Sequence, residues 1–389
     1  MKNSTNVMSA QAVRSFIFFL ILLGPAACPA LLRAESTDPQ SSEVPSKTKL
    51  GIITTLSGPA AGYGLDIRDS LLFALEKLGH GRYDYLLEDD KCDGKEAVSA
   101  AHKLIDIEKV QYILGLGCSG AALAAAPLFE KAKIPTLVIL ASSPKISASG
   151  DYIFRTTPSD KAAAGLLHAY ISAGHKRLGV LSEETEYAQD FKNLFVDANK
   201  RGELYLVAID YLSSVKDFRS LLLKLKTSNI DALLINPQNE ENFAAMLAQQ
   251  KELHLDVPVY GAYFPVSSTL ISIAKNNIEG AVAVDTPDPG TALSEEGKKL
   301  FAEYEQKYGP LRSIQSTFLS AFEAVRSLTQ AIESGQDVRS FLYHTKFQGV
   351  FGPYSFDENG DILGLRFSIK SVRDGKVVNV PFAPATRDS

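Results

Sequence analysis

The chain has 389 residues, 45% of them apolar and 22% charged, with a formal net charge of −5. That composition is globular, and the length suits two ordinary domains rather than one. Without any basic block, the negative balance speaks against nucleic acid or an anionic membrane surface as partner. The histidines (His80, His102, His168, His175, His254, His344) are scattered with no helix-face spacing, so no metal site is expected from them.

Lys2 and Arg14 precede the apolar run SFIFFLILL at 15–23, which is followed by small residues and then by the polar stretch 35–49. A short apolar core between basic and small-residue flanks reads as a secretory signal peptide. It is shorter than the roughly 20 residues that span a bilayer. Cleavage after Ala34 fits best. Cys28 raises lipid attachment at the processing site, but Pro25 sits badly in the usual Leu-small-small-Cys pattern. A soluble exported protein with Cys28 removed is the preferred reading, with residues 35–47 as a flexible leader.

From Lys49 onward, short apolar runs alternate with helix-length amphipathic segments. The expected strands are 50–54, 83–88, 110–116, 136–140, 153–155, 177–181, 204–210, 232–235, 259–261 and 280–284. The expected helices are 64–78, 95–107, 120–131, 161–173, 187–200, 218–227, 240–250 and 267–274. Strand followed by helix, repeated, is the pattern of parallel sheets covered on both faces. It runs once to about Arg155 and restarts at Lys161, so the expected fold class is α/β with two doubly wound parallel-sheet lobes. After TPDP at 286–289 come two long helices, 292–308 and 316–334, then a hairpin turning at ENGD, 358–361. This tail is too small for a domain and should complete the two lobes. Residues 48–158 plus 286–365 are assigned to lobe 1, and 159–285 plus 366–385 to lobe 2. Three crossings, near 158, 285 and 365, would form a hinge, and a hinge between two lobes makes a cleft.

Two cysteines survive processing, Cys92 and Cys118, each just past an expected strand. In an oxidising compartment such a pair is bridged more often than free. A bridge closing this loop would contribute about 3–4 kcal/mol on the chain-entropy view. No C-x-x-C or ligand-spaced histidine suggests a redox or metal role.

Gly115, Gly117 and Gly120 in YILGLGCSG spell G-x-G-x-x-G. A dinucleotide site needs that motif in the first βαβ unit and an acid after the next strand. Here it follows the third strand, and 134–145 holds no Asp or Glu. No cofactor is expected. What survives is geometry: Ser119 is placed to cap the next helix, whose unpaired N–H groups suit an anion. Small hydroxyl residues also end the neighbouring strands, Thr55 to Gly58 and Ala141-Ser142-Ser143. A small carboxylate is the expected guest. No G-x-S-x-G elbow, H-E-x-x-H or supported acid–base pair is present, so no enzyme is expected.

The stretches LSGPAAGYG, DDKCDGKEAVSAAHKLI, YILGLGCSGAALAAAPLFEKAKIPTLVILASSP, YIFRTTPSD, EYAQDF and FGPYSFDENGD resemble, in order and over nearly the whole mature chain, the branched-chain amino acid binding proteins. These are the type I periplasmic solute-binding proteins of ABC importers. The resemblance implies a monomer that binds a small carboxylate, an amino acid or related organic acid, in the periplasm and delivers it to permease and ATPase subunits. It places the Cys92–Cys118 pair where members often have a disulfide. It also implies that Ser119 binds the ligand carboxylate. The segment Leu140-Ala141-Ser142 would hold carboxylate and amino groups, through the Leu140 backbone and the Ser142 hydroxyl and N–H. Tyr63 would line the first lobe, and Tyr187 would close over the ligand. One departure stands out: where amino-acid binders carry an acid for the ligand ammonium, after strand 259–261, this chain has Tyr263. A second-lobe tyrosine position is here Gln238. Either another acid serves, or the ligand is an aromatic or aliphatic acid without an amino group. Glu183 is expected to cap or to face water. A sensor subunit signalling to a membrane receptor would use the same closure as a transport subunit.

Overall fold

The computed structural model describes residues 47–286 and 292–382; the expected signal peptide, Cys28 and all but the last residue of the leader lie outside the described residues. The first sheet is parallel throughout, with strands β1 (Thr48–Thr54), β2 (Tyr83–Asp89), β3 (Tyr112–Gly115), β4 (Thr136–Val138) and β5 (Ile153–Arg155) in the order β2-β1-β3-β4-β5. Helices α1 (Ala61–Leu78), α2 (Gly94–His102) and α3 (Ser119–Ala132) connect them. β3 and β4 are buried almost throughout, as strands covered on both faces must be.

The chain then repeats the scheme. Helix α4 (Asp160–Gly174) leads into β6 (Arg177–Glu183), followed by α5 (Glu186–Ala198), β7 (Tyr205–Tyr211), α6 (Arg219–Thr227), β8 (Ala232–Asn236), α7 (Glu240–Glu252), β9 (Val259–Ala262), α8 (Ser268–Ala274) and β10 (Val282–Asp285). The five strands lie parallel in the order β7-β6-β8-β9-β10, the same winding as in the first sheet. Side-chain oxygens of Ser159, Thr185, Asn239 and Ser267 accept from backbone N–H groups at the starts of α4, α5, α7 and α8. Those caps explain where the helices begin.

The remaining segment returns to the first sheet. Helices α9 (Glu295–Tyr308), α10 (Ser316–Glu333) and α11 (Val338–His344) precede a small antiparallel sheet of β11 (Phe347–Gly349), β12 (Gly352–Phe356) and β13 (Ile362–Leu363). Phe318, Phe322, Tyr304, Tyr354 and Phe356 from these elements share one core with Leu50, Ile52, Leu114 and Phe154 of the first sheet. Finally β14 (Ser368–Arg373) and β15 (Lys376–Val380) extend the second sheet, antiparallel, beside β10. The chain thus passes between the sheets after β5, after β10 and after β13. The expected hairpin turn at 358–361 joins β12 to β13. Sequence reading did not foresee α11 or the β14–β15 hairpin. Among the described residues no helix is long and apolar enough to cross a membrane.

In a doubly wound sheet, ligands sit outside the carboxyl ends of the strands where the order reverses. In both sheets that point lies beside the first strand, β1 and β6.

Candidate functional site

A cleft opens at those strand ends. The first half contributes Thr55 after β1, Tyr63 and Gly64 in the first turn of α1, Gly117, Cys118 and Ser119 after β3, Leu140 and Ser142 after β4, and Thr157 after β5. The second half contributes Tyr187 at the start of α5, Gln238 after β8 and Tyr263 with Phe264 after β9; Ile314 comes from the segment before α10. Of the residues expected at the site, Ser119, Leu140, Ser142, Tyr63, Tyr187, Gln238 and Tyr263 line this cleft. Ala141 does not: its methyl is 1% exposed in the core beneath, and its N–H donates to the Leu116 carbonyl. Thr55, Thr157, Phe264 and Ile314 were not singled out beforehand as contacts. Thr157 and Ile314 look like ordinary loop residues in sequence, and Thr55 was noted only as part of a small-residue strand end.

Close backbone approach builds the floor. A Cβ on Gly64 would lie 1.7 Å from the Thr55 carbonyl oxygen. Gly115 has φ +121°, and a Cβ there would lie 2.0 Å from the Ile53 oxygen. The glycine motif therefore serves strand-end geometry. Cys118 is bonded to Cys92, with Cα atoms 5.4 Å apart. The Thr55 hydroxyl donates to Asp90 at 2.6 Å, fixing the neighbouring strand end.

Ser119 departs from expectation in one respect. It is the first residue of α3; Cys118 takes the cap position, with no side-chain cap bond. The Ser119 Oγ instead accepts the Ser143 N–H at 3.3 Å. Its own proton is thereby left to donate, beside the first N–H groups of α3, which have no partner within the helix. This corner offers donors and the positive end of a helix dipole.

The opposite corner is organised by a residue that sequence reading missed. Asp160, the first residue of α4, is fully buried. Its Oδ1 accepts from the Tyr263 hydroxyl at 2.6 Å and its Oδ2 from the Ser142 hydroxyl at 2.8 Å. Burial pushes the Asp160 carboxyl up to about 6, while the two hydroxyls and the Arg155 guanidinium pull it back and Asp190 pushes it further up. An ionised carboxylate only accepts. Tyr263 and Ser142 must each spend their single proton on it, so they present oxygen lone pairs to the cleft. Tyr263 is held for this task by an unusual backbone, φ 48° and ψ −54°, in which a bulky side chain is rarely found. An acid at the first position of a helix ordinarily reads as a dipole partner, so Asp160 gave no distinctive signal.

Between the two corners the wall is aromatic. Phe264 meets Tyr63 edge-on at 5.8 Å and Tyr187 at 6.2 Å. The Tyr187 hydroxyl is buried without a hydrogen-bond partner, and the Tyr63 hydroxyl, equally buried, has Glu240 beside it but makes no well-formed hydrogen bond. Burial raises both phenols well above their ordinary range, reinforced by Glu240 for Tyr63 and by Asp160 for Tyr187. Buried unpaired hydroxyls are costly and uncommon, and these two face a cleft. Among the described residues no charged side chain lines it. Glu183, expected to cap or to face water, does neither: it is 1% exposed and accepts from the Gln238 N–H at 2.9 Å and the Tyr211 hydroxyl at 3.3 Å. Among the described residues no cluster of His, Cys, Asp and Glu is arranged to hold a metal.

The family model for periplasmic binding proteins matches residues 47–373. The chain belongs to that family. Its members bind solutes rather than transform them, so this is a binding protein of the periplasm and not an enzyme. It is similar to the Leu/Ile/Val/Thr-binding protein of Salmonella typhimurium, 24% identical over 331 residues that cover 82% of this chain and 90% of the relative. Among solved structures, it resembles a leucine binding protein from Thermotoga maritima with a TM-score of 0.79 and 23% identity, over 86% of this chain and 98% of that one. A solute binding protein of an ABC transporter from Rhodopseudomonas palustris, solved with 3,4-dihydroxybenzoic acid, matches with a TM-score of 0.76 and 23% identity, over 87% and 97%. At such identities the structural likeness speaks for the fold.

Proposed function

We propose that this protein is the solute-binding subunit of an ABC importer, and that it closes around an apolar α-amino acid to deliver it to the permease and ATPase subunits. One observation carries the choice of ligand. Ser142 and Tyr263 both donate to buried Asp160, so the cleft has an acceptor corner facing the donor corner at Ser119 and α3. A zwitterion satisfies both corners at once: its carboxylate at Ser119 and its ammonium against the two hydroxyl oxygens, with Asp160 as counter-charge one hydrogen bond behind. Leu140, Ile314, Phe264 and the rings of Tyr63 and Tyr187 then take the apolar side chain. The similarity to a Leu/Ile/Val/Thr-binding protein supports this choice.

A second reading, an aromatic or aliphatic acid without an amino group, draws on the aromatic wall and on the dihydroxybenzoic acid bound by the structural relative. A ligand sensor for a membrane receptor would close in the same way; adjacent permease and ATPase genes would decide for transport, and an adjacent kinase gene for sensing. On this reading the chain is exported by the 15–23 signal segment, loses Cys28, and acts as a monomer.

Thermal-shift titration of the purified protein with leucine, isoleucine, valine and threonine, against benzoate and 4-hydroxybenzoate, tests the choice. A ligand at 100 times its Kd stabilises by about 2.7 kcal/mol. Stabilisation by the amino acids supports the reading; stabilisation by the amino-free acids alone overturns it.

A further inference from the structure

At the mouth of the cleft, outside the residues that line it, the two halves are joined by a polar cluster. The Ser143 hydroxyl donates to Asp190 Oδ2. Lys145 Nζ pairs with Asp190 Oδ1 at 2.9 Å and with Glu186. Ser143 and Lys145 follow β4 of the first sheet, whereas Glu186 and Asp190 lie in the first two turns of α5, which follows β6 of the second. Asp190 is shut in, its side chain 5% exposed, while Lys145 is 56% and Glu186 41% exposed. A Cβ on Gly120, at the start of α3, would sit 3.6 Å from Glu186 Cβ, so the two helix starts also abut here. These three side-chain contacts all join the two halves, and separating the halves breaks them.

We propose that Ser143, Lys145, Glu186 and Asp190 form a strap across the cleft mouth that favours the closed form without touching ligand, and so sets affinity from outside the site. A contact present in only one of two states shifts their ratio by its own free energy, and ligand affinity follows the closed fraction. The strap is also tied to the site. The same Ser143 that bonds Asp190 gives its N–H to Ser119 Oγ, and its carbonyl accepts from Arg155 Nη1 at 2.7 Å. Closing therefore fixes the segment that orients the Ser119 hydroxyl. Lys145 with Glu186 is the exposed, salt-screened part; Ser143 with Asp190 is the buried part.

The test uses unliganded full-length mature protein, so its outcome is independent of which solute the cleft takes. Dyes on cysteines replacing exposed Lys131 in α3 and Lys224 in α6 report opening by single-molecule energy transfer. Raising NaCl is expected to lower the closed-to-open ratio of the parent by about threefold. Lys145→Ala should reach that lower ratio at low salt and show no further salt dependence, while Lys145→Arg keeps the parent value. Asp190→Asn should lower the ratio by about tenfold, since it weakens the buried contacts. Should Asp190→Asn fail to fold, Lys145→Ala and Glu186→Gln at the exposed positions decide alone. Equal closed fractions in parent and folded variants, at whatever level and salt, overturn the proposal.

Discussion

If Asp160 is the counter-charge for a ligand ammonium, its titration must appear in the binding curve with a definite sign. The groups facing it are the Tyr263 and Ser142 hydroxyls, the Arg155 guanidinium and the Asp190 carboxylate, and burial dominates, holding its carboxyl near 6. In the unliganded protein a carboxyl raised by about two pH units from 3.8 is a liability of about 3 kcal/mol once ionised. The folded chain holds that proton between about pH 4 and 6 while the unfolded chain does not. Stability from this group is therefore present below pH 4 and lost as pH rises through 6. Asp160→Asn should remove the liability and raise the melting temperature at pH 7.5, with little gain at pH 4. Binding runs the other way. An ammonium needs the ionised form, which falls from about nine-tenths at pH 7 to about one-tenth at pH 5, so leucine should bind about tenfold more weakly at pH 5. A carboxylate without an amino group would prefer protonated Asp160 and show the opposite slope. Calorimetric titration with leucine and with benzoate at pH 5, 6, 7 and 8, on the parent and on Asp160→Asn, separates these cases. Leucine affinity that is flat or falls from pH 5 to 7, or that survives Asp160→Asn unchanged, would refute the reasoning.

Other outcomes follow from the same geometry. Ser119→Ala should abolish the leucine-induced thermal shift yet lower the unliganded melting point only slightly: Ser119 is not the cap of α3, and the bond it loses to the Ser143 N–H is worth about 1 kcal/mol. A collapsed apo protein, or a retained shift, would contradict this. Tyr187→Phe removes a buried hydroxyl that has no partner, so unliganded stability should hold or rise, while the leucine Kd rises about five- to tenfold if that hydroxyl meets the ligand. Calorimetry and scanning fluorimetry on the same variant check both halves. Reducing the Cys92–Cys118 bridge, 26 residues apart in sequence, should cost about 3.5 kcal/mol on the chain-entropy view, read as a lower urea midpoint in the presence of a phosphine reductant. An unchanged midpoint would show that the link adds nothing to a loop already held at both ends.

The repeated winding was legible because its strands are covered on both faces and so appear as unbroken apolar runs, such as YILG in β3 and ALLIN in β8. What escaped notice lacked that signal. Helix α11 has seven residues, too few for a helical period to stand out. Strand β14, SIKSVR, hides behind Lys370, which reads as a surface residue but is 1% exposed and pairs with Asp285 at 2.9 Å. The polar partner that makes such a residue tolerable inside comes from another strand, and no local pattern announces it. The same holds for Glu183, whose position in sequence suggested water and whose actual partners lie on β7 and in the loop after β8.

At the site, small hydroxyl residues after three adjacent strands were readable because they are scarce in apolar surroundings; the meaning of Tyr263 was not. Taken alone, a tyrosine in place of an acid argues for a ligand without an ammonium. On the proposed reading the fold reverses that inference. The chain places a carboxylate behind the tyrosine instead of in the wall, and a hydroxyl that must donate backwards has only its lone pairs to offer forwards. Such a relay weakens the direct attraction between charges, but it keeps an acid out of the cleft when no ligand is bound, where it would draw water and resist closure. Ser142, tied to the same carboxylate, doubles the effect. On that reading ligand class is set by the direction in which the hydroxyls of the cleft point, a property of pairs of residues 18 and 103 positions apart, and reading the wall residues one by one does not recover it.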